Sequence, residues 1–270
     1  MRVQIASDLH LERSPDLKFE DILDCSKNAN VLVLAGDIGC PLQAGYTAFL
    51  KACTERFPTV LVTAGNHEYK TCASGKCGPP LTMQEVDAMI ENICVSVSSP
   101  GHRAVYLQNG KNICLDDVNF VGATLWSHIP LHVFSKQDID LIGNTYFSNM
   151  MVVPGEAFDV DRCNRMFKDT IDKIAASTRW GQSNGKKNVV ITHHAPIMEG
   201  AFKRSDLSKN YLYGTDMSEH LDGKVIKAWI YGHTHWNDVN CVNGTLCVCN
   251  QYGGKGTVAS GWNKAFTVRV

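Results

Sequence analysis

The sequence predicts an α/β fold, and three observations support this assignment. Short apolar strands alternate along the chain with polar loops and helices, which is the pattern of a parallel sheet with helical crossovers. Several strands, such as 31–35 (VLVLA), are apolar at every position, as buried strands are. An Asn-Gly pair late in the chain predicts a hairpin, so the sheets are expected to be mixed.

The first hundred residues hold three predicted strands, each followed by a helix or a polar loop. The strands are predicted at 1–6, 31–35 and 59–64, and the helices near 17–23, over 41–57 and after Thr82. The last helix begins with a capping box, because Glu85 follows Thr82 by three residues. Residues 70–80 are rich in glycine, proline and small side chains and are predicted to form a loop.

The rest of the chain begins with short antiparallel strands and returns to buried strands. The strands are predicted at 113–115, 118–121, 189–192, 228–231, 239–242, 245–248 and 265–270. Residues 127–156 are predicted to be irregular, and apolar spacing over 163–175 predicts a helix that ends before a loop at 181–187. We expect one domain over residues 1–270, in which about 127–187 forms a cap or lid insertion.

Composition narrows the class of protein. The chain has 270 residues, a net charge of -1 and 44% apolar residues, which excludes a disordered tail and gives no broad surface for nucleic acid. The basic pairs Lys186-Lys187 and Lys203-Arg204 are interpreted as solvated surface. Eleven cysteines and no apolar leader favour reduced thiols in a cytoplasmic protein, and no apolar run is long enough to span a membrane.

Polar side chains that bind metals follow five of the buried strands. The segments are Asp8-Leu9-His10, Gly36-Asp37, Gly65-Asn66-His67-Glu68, His193-His194 and Gly232-His233-Thr234-His235. The carboxyl ends of strands in an α/β sheet meet at one crevice, so these segments are expected to converge. In an extended segment, the i, i+2 spacing of Asp8 with His10 and of His233 with His235 directs both side chains the same way. The glycines allow sharp turns and close backbone approach.

These segments, in this order, resemble the motifs of the calcineurin-like metallophosphoesterase family. The resemblance runs from Asp8 to His235, and Gly122–Trp126 and Thr192–Pro196 are similar to its uncharacterised cytosolic branch. It implies a four-layer αββα sandwich of two mixed β-sheets flanked by helices. It also implies one metal held by Asp8, His10, Asp37 and His235, and a second held by Asp37, Asn66, His193 and His233.

The donor types agree with this assignment. Carboxylate, amide and imidazole ligands suit Mn, Fe or Zn. Two such ions can activate a bridging water as a hydroxide nucleophile and neutralise charge on a phosphoryl group. The resemblance assigns the leaving-group acid to His67. His194, Glu68 and Tyr252 are candidates for substrate contact or for support of the ligands.

One position departs from the family pattern. The second motif usually reads G-D-x-x-D, whereas this chain has Gly36-Asp37-Ile38-Gly39-Cys40, so a thiol replaces a supporting carboxylate. The replacement is expected to affect the orientation of neighbours such as His67. Glu12 is a possible substitute for it.

The function predicted from these observations is metal-dependent hydrolysis of a phosphoester, with a small-molecule phosphodiester favoured because His67 is present. Two alternatives stay open: a phosphomonoesterase or protein phosphatase of the same family, and a non-catalytic metal-binding scaffold of the same fold. A nuclease is not favoured, because the chain has no basic run to follow a phosphate backbone. The sequence does not define the oligomeric state.

Overall fold

The structure is a computed structural model, and it describes residues 1–14, 16–25, 28–198, 210–254 and 257–270. The basic pair Lys203-Arg204 lies outside the described residues. Two β-sheets pack face to face, and helices cover their outer faces. The predicted α/β sandwich of two mixed sheets is confirmed.

The first sheet has five strands in the order β11-β1-β2-β3-β4. Four strands run parallel, and β11 pairs antiparallel with β1 at one edge. Valines on β1 and β2 point toward the second sheet, whereas alternate leucines on β2 pack under the helices. The strands are β1 (Arg2–Ala6), β2 (Val31–Ala35), β3 (Thr59–Thr63), β4 (Arg103–Tyr106) and β11 (Thr267–Arg269).

The second sheet has six strands in the order β5-β6-β7-β8-β10-β9. Strands β6, β7, β8 and β10 are parallel, and an antiparallel strand closes each edge. The Asn243-Gly244 hairpin and the antiparallel pair before it are confirmed. The strands are β5 (Lys111–Leu115), β6 (Val118–Ala123), β7 (Lys187–Thr192), β8 (Ile226–Tyr231), β9 (Val239–Val242) and β10 (Thr245–Cys249).

Helices α1 to α4 cover the first sheet, and α6 covers the second. The capping box at Thr82 is present, since its side chain accepts a hydrogen bond from Glu85 N at 3.3 Å. The helices are α1 (Phe19–Ile22), α2 (Ala44–Thr54), α3 (Asn66–Ala73), α4 (Met83–Ser96), α5 (Lys136–Tyr146) and α6 (Val160–Ser183). No helix in the described ranges combines the length and the apolar character needed to cross a bilayer.

Two predictions about loops were wrong. The segment predicted as a loop at 70–80 begins inside α3, which continues to Ala73. The segment 127–156 contains α5, which starts at a capping box between Ser135 and Asp138. Only Ile142 of α5 is buried, so this helix shows little apolar periodicity in the sequence. The cap assignment itself stays a prediction.

Candidate metal centre and active site

The predicted ligands lie where the carboxyl ends of both sheets meet. Asp8, Asp37 and Asn66 follow β1, β2 and β3 of the first sheet, and the histidines follow β7 and β8 of the second. Backbone hydrogen bonds tie neighbouring loops within each sheet: Asp8 N donates to Gly36 O at 3.0 Å in the first sheet, and Gly232 N donates to His193 O at 2.9 Å in the second. The fold therefore brings residues that are up to 227 positions apart in the sequence into one site.

The first cluster consists of Asp8, His10 and His235. Nε2 of His235 lies 3.2 Å from Oδ1 of Asp8 and 3.4 Å from Nε2 of His10. Each of the three residues offers one ligand atom, and these atoms lie within 4.8 Å of one another. Asp8 and His10 are buried, whereas 35% of the His235 side chain is exposed, so the cluster is open to solvent on that side.

The second cluster consists of Asp37, His193 and His233, with Asn66 beside them. Nε2 of His193 lies 3.1 Å from Nδ1 of His233, 3.1 Å from Oδ1 of Asn66 and 3.4 Å from Oδ2 of Asp37. Asp37, His193 and His233 again offer ligand atoms within 4.8 Å of one another. Oδ1 of Asn66 therefore lies beside this cluster, where the resemblance places a ligand.

Asp37 lies between the two clusters. Its Oδ2 is 3.4 Å from Nε2 of His193 in the second cluster and 3.7 Å from Nε2 of His10 in the first. Its Oδ1 accepts a hydrogen bond from the backbone N–H of His67 at 2.8 Å, which fixes the carboxylate plane. One carboxylate oxygen is thus placed where it can contact a cation in either cluster.

The hydrogen bonds of the histidines fit a metal-binding role. Nδ1 of His193 faces Ala35 O at 2.9 Å, Nε2 of His233 faces Leu212 O at 3.2 Å, and Nδ1 of His10 faces Glu12 Oε1 at 3.2 Å. A proton on each of these nitrogens leaves a lone pair on the other ring nitrogen, which faces the cluster. Two lone pairs that face each other at 3.1 to 3.4 Å repel unless a proton or a metal ion lies between them, so this arrangement of donors fits a divalent metal ion.

The electrostatics of the site also favour positive charge. Burial opposes ionisation of both carboxylates, but His235 and His193 lower the pKa of Asp8, and His193 and His67 hold that of Asp37 well below its usual range. Burial opposes protonation of His193, yet Asp37 raises its pKa to about 9. Positive charge, either a proton on His193 or a divalent ion, therefore stabilises these buried carboxylates.

The backbone at the ligands is not extended, and this corrects the prediction from the i, i+2 spacing. Asp8 and His10 have φ angles of 55° and 48°, and His233 and His235 have φ angles of 72° and 53°. Asp37 is also left-handed, with a φ angle of 53°. Residues with side chains rarely adopt this conformation, and such residues concentrate at functional sites. The left-handed conformation is a signal that single-sequence reasoning missed.

The glycines of the motifs act mainly through close approach. Gly36 has a φ angle of 84°, and a Cβ there would stand 2.6 Å from Nδ1 of His193. Gly232 has no unusual φ angle, but its Cβ would stand 2.7 Å from Oδ2 of Asp8. The expected turn is present at Gly36, and the expected close approach is present at both positions.

His67 lies at the first turn of α3, on the rim of the two clusters. Its ring packs edge-on against His10, with 4.8 Å between the ring centroids. Burial lowers the pKa of His67, and the charge of Arg13 acts in the same direction. Arg13 belongs to the short 3-10 turn Leu11–Arg13, and its place beside His67 was not predicted from the sequence.

Glu68 and Cys40 support this part of the site in different ways. The fully buried Glu68 carboxyl accepts hydrogen bonds from the backbone N–H groups of Asp37, Ile38 and Gly65 at 3.0, 2.7 and 2.9 Å. Cys40 packs in the core with its Sγ 3.9 Å from that of Cys72 on α3. The possible substitute Glu12 contacts His10 and Arg13.

His194 lies beside the second cluster, and the backbone N–H of Tyr252 donates to Ser7 O at 2.9 Å, next to Asp8. His194 is buried, and its ring packs 4.2 Å from that of His233. Burial lowers its pKa to about 3, so it stays neutral at pH 7. A narrow pocket beside it is lined by Asn66, Trp126, Ser127, Ile129, Tyr146, Phe147, Cys163, Leu212 and His233. Tyr252 packs edge-on against Trp262.

Sequence reasoning also missed Gln251, a buried residue that holds the last ligand loop. Its Oε1 accepts a hydrogen bond from His235 N at 2.7 Å, and its Nε2 donates to Thr234 Oγ1 and Trp236 O at 2.8 and 2.9 Å. No local pattern marks this residue, because its contacts depend on the pairing of β8 with β10.

Comparisons with known proteins agree with this geometry. The family described as Calcineurin-like phosphoesterase matches residues 1–237. The Uncharacterized protein L509 of Acanthamoeba polyphaga mimivirus is 27% identical over 277 aligned positions, which cover 94% of this chain and 91% of that protein. The solved Phosphopantetheinyl Hydrolase (PptH) from Mycobacterium tuberculosis superposes with a TM-score of 0.66 and 16% identity, over 93% of this chain and 89% of that chain. At this identity, the superposition shows a shared fold.

Proposed function

Because the chain belongs to the calcineurin-like phosphoesterase family, we propose that it hydrolyses phosphoesters with two divalent metal ions and prefers phosphodiesters. The observation that carries the proposal is the position of Asp37 between two clusters of ligand atoms. Asp8, His10 and His235 would hold one ion with Asp37. Asn66, His193 and His233 would hold the other with the same carboxylate. Mn, Fe or Zn suits this donor set.

The charge of the site supports an anionic substrate. Two divalent ions contribute +4, and Asp8 with Asp37 contributes -2, so the loaded site is cationic although the chain has a net charge of -1. The chemistry that the ions supply is activation of a water nucleophile and neutralisation of charge on the phosphoryl oxygens. The protein fixes the ligands through His67 N, Ala35 O and Leu212 O, which limits their motion.

His67 is the proposed general acid. Its ring lies at the rim, beside the first cluster, where it can reach the oxygen of a leaving alcohol. Burial lowers its pKa, but an anionic substrate beside the ring favours the protonated form and opposes this shift. Proton donation to a poor leaving group contributes about 10²- to 10⁴-fold to the rate.

The decisive experiment combines metal analysis with hydrolysis of bis-p-nitrophenyl phosphate and p-nitrophenyl phosphate. We expect about two metal ions per chain after loading with Mn²⁺, together with faster hydrolysis of the diester. A wild-type protein that retains no metal and hydrolyses neither ester would contradict the proposal. In that case, the non-catalytic scaffold becomes the better interpretation.

The role of His67 needs a substrate with an unactivated leaving group, because p-nitrophenolate leaves without protonation. We expect His67→Ala to lower kcat on an alkyl ester by about 10²-fold or more and to change kcat on p-nitrophenyl esters much less. His132→Ala, at an exposed position away from the clusters, is the matched control. Equal losses on both kinds of ester would assign His67 to structure or metal binding instead.

A monoesterase or protein phosphatase of the same family is the second candidate. The presence of His67 does not separate the two, because both reactions release an alcohol. The ratio of kcat/KM for the diester and the monoester decides between them. A ratio below one would replace the preference for diesters and would leave the metal-dependent hydrolysis intact.

A further inference from the structure

The guanidinium of Arg13 lies against the ring of the proposed acid, His67. Its Nη2 is 3.3 Å from Nδ1 and 3.4 Å from Nε2 of His67. A hydrogen bond in the ring plane would bring Nη2 close to one ring nitrogen and leave it far from the other. The guanidinium therefore lies over the face of the imidazole, as arginine does on flat rings.

The rest of the guanidinium is only partly paired. Nε lies 3.3 Å from Oε1 of Glu12, an oxygen that also contacts Nδ1 of His10 at 3.2 Å. Nη1 lies near Gly254, where a Cβ would stand 3.4 Å from it. One third of the Arg13 side chain is exposed, compared with 8% for Glu12. Within the part of the chain that the structure describes, no further acceptor contacts the Nη groups, so they have N–H donors left for a ligand.

Positive charge accumulates on this rim. Lys70 lies one helical turn after His67, and its Nζ donates to Thr145 O at 2.6 Å. Burial lowers the pKa of Lys70, and the nearby charge of Arg13 adds to this effect. Three groups that carry or accept positive charge therefore share one side of the site, with Glu12 as the acidic neighbour.

We propose that Arg13 binds a second anionic group of the substrate, and that the substrates are phosphoesters whose leaving group carries its own phosphate. This inference rests on the proposed function. Water attacks the phosphorus held at the clusters, the bond between phosphorus and the leaving oxygen breaks, and His67 gives that oxygen a proton. Arg13, in contact with His67, is then adjacent to the leaving group and binds its phosphate through the Nη groups.

A purely structural role for Arg13 makes a different prediction. In that role, Arg13 would hold Glu12, and Glu12 would orient His10, so loss of the guanidinium would reduce metal content. A ligand for the leaving group affects only those compounds that carry the second anionic group. Metal content and the dependence on the second group therefore separate the two roles.

The test measures binding of two compounds that the protein cannot hydrolyse, ethylphosphonate and ethane-1,2-diphosphonate, to Mn²⁺-loaded protein by calorimetry. We expect wild type to bind the diphosphonate about tenfold or more tightly than the monophosphonate. Arg13→Gln should bring this ratio close to one, and Arg13→Lys should give an intermediate value. Arg103→Gln is the matched control, because Arg103 is exposed at the start of β4, at the opposite edge of the sheet.

Three outcomes would overturn the inference: an unchanged ratio in Arg13→Gln, an equal loss of affinity for both compounds, or a loss of bound metal in that variant. An unchanged ratio assigns the extra affinity of the diphosphonate to the metal ions alone. An equal loss places Arg13 on the first phosphoryl group. If wild type hydrolyses phosphoesters in any of these cases, the proposed function stands and only the role of Arg13 fails.

Discussion

The left-handed residues at the ligands show how the site stores backbone strain. Five of the seven proposed ligands have positive φ angles, a conformation that costs about 1–2 kcal/mol for a residue with a side chain. Buried neighbours hold them there: His233 N donates to both carboxylate oxygens of Asp8, at 3.1 and 3.0 Å. The strain is balanced by contacts that a ligand loop with ordinary dihedral angles would not make.

Alanine substitutions at Gly36 and Gly155 distinguish the cost of backbone strain from the cost of close packing. Both have positive φ angles, 84° and 81°, but only Gly36 has neighbours within 4 Å of an added Cβ. We expect Gly155→Ala to lower the free energy of unfolding by about 1 kcal/mol. Gly36→Ala should lower it by about 3 kcal/mol or more and reduce bound metal, because its Cβ would meet His193 and the backbone of Gly65. Urea denaturation and metal analysis measure both effects, and similar losses in the two variants would contradict the role of close packing.

Asp87, which lies away from the metal ligands, is expected to make the stability of the folded protein depend on pH. Its Oδ1 accepts hydrogen bonds from the hydroxyls of Tyr69 and Tyr106 at 2.7 and 2.6 Å, and burial raises its pKa. The folded state therefore keeps a proton that the unfolded chain loses near pH 3.9. Its contribution to stability is complete below that pH and is lost as the pH rises through the folded pKa.

Asp87→Asn should remove this loss while its side-chain oxygen still accepts both hydrogen bonds. We expect the variant to gain stability relative to wild type as the pH rises from 4 to 7, measured by urea denaturation at both values. Asp16→Asn removes the same charge from an exposed position and is the control. A constant difference between Asp87→Asn and wild type across this range would show that Asp87 does not titrate there.

At the scale of elements, α4 shows a local signal that can be read directly from the sequence. Thr82 N donates to Glu85 Oε2 at 2.8 Å, and Thr82 Oγ1 accepts from Glu85 N. We expect Thr82→Ala to lower the free energy of unfolding by about 1 kcal/mol. Thr82→Ser keeps the hydroxyl and should lose less than half as much. If the two variants are equally destabilised in urea denaturation, the loss comes from the threonine methyl group and not from the cap.

Helices whose positions depend on contacts between residues distant in the sequence were not predicted. Helix α3 begins at Asn66 with Gly65 as its N-cap, and its eight residues include only four buried side chains. Its start is fixed by Glu68, which accepts the N–H of Gly65 in its own turn and those of Asp37 and Ile38 from the loop after β2. Such contacts have no periodicity, so the strands were predicted well while α3 and α5 were not.

The convergence of the proposed ligands was predictable because they follow buried strands. The ends of β1, β2, β3, β7 and β8 are marked by apolar runs, and the polar residue after each run must lie at the edge of a sheet. Arg13 follows no strand, and its approach to His67 depends on a 3-10 turn that begins at the left-handed His10. The position of a residue that depends on the direction of a turn can be determined only from the structure.

At the scale of the whole molecule, the two clusters join the two sheets. Each cluster takes ligands from both: Asp8 and His10 face His235, and Asp37 faces His193 and His233. Ions bound here would act as cross-links between the sheets. We expect Mn²⁺ at 100 times its dissociation constant to raise the free energy of unfolding by about 2.7 kcal/mol for each site that is filled.

Thermal denaturation with Mn²⁺ and with a chelator measures this stabilisation. Asp37→Asn should reduce it more than any other single change, because Asp37 lies between both clusters. Asp117→Asn, on an exposed turn far from the site, should leave it unchanged. A melting temperature that does not respond to Mn²⁺ in wild type would contradict the cross-link.

The loop Gly232–His235 has a consequence for the order in which the protein matures. It delivers one ligand to each cluster, His233 to the second and His235 to the first. During synthesis, a nascent chain that ends before this loop can already pair β1, β2 and β3, yet it cannot complete either cluster. Under the proposed function, both metal sites would therefore be completed only after β8 has been made, late in the synthesis of the chain.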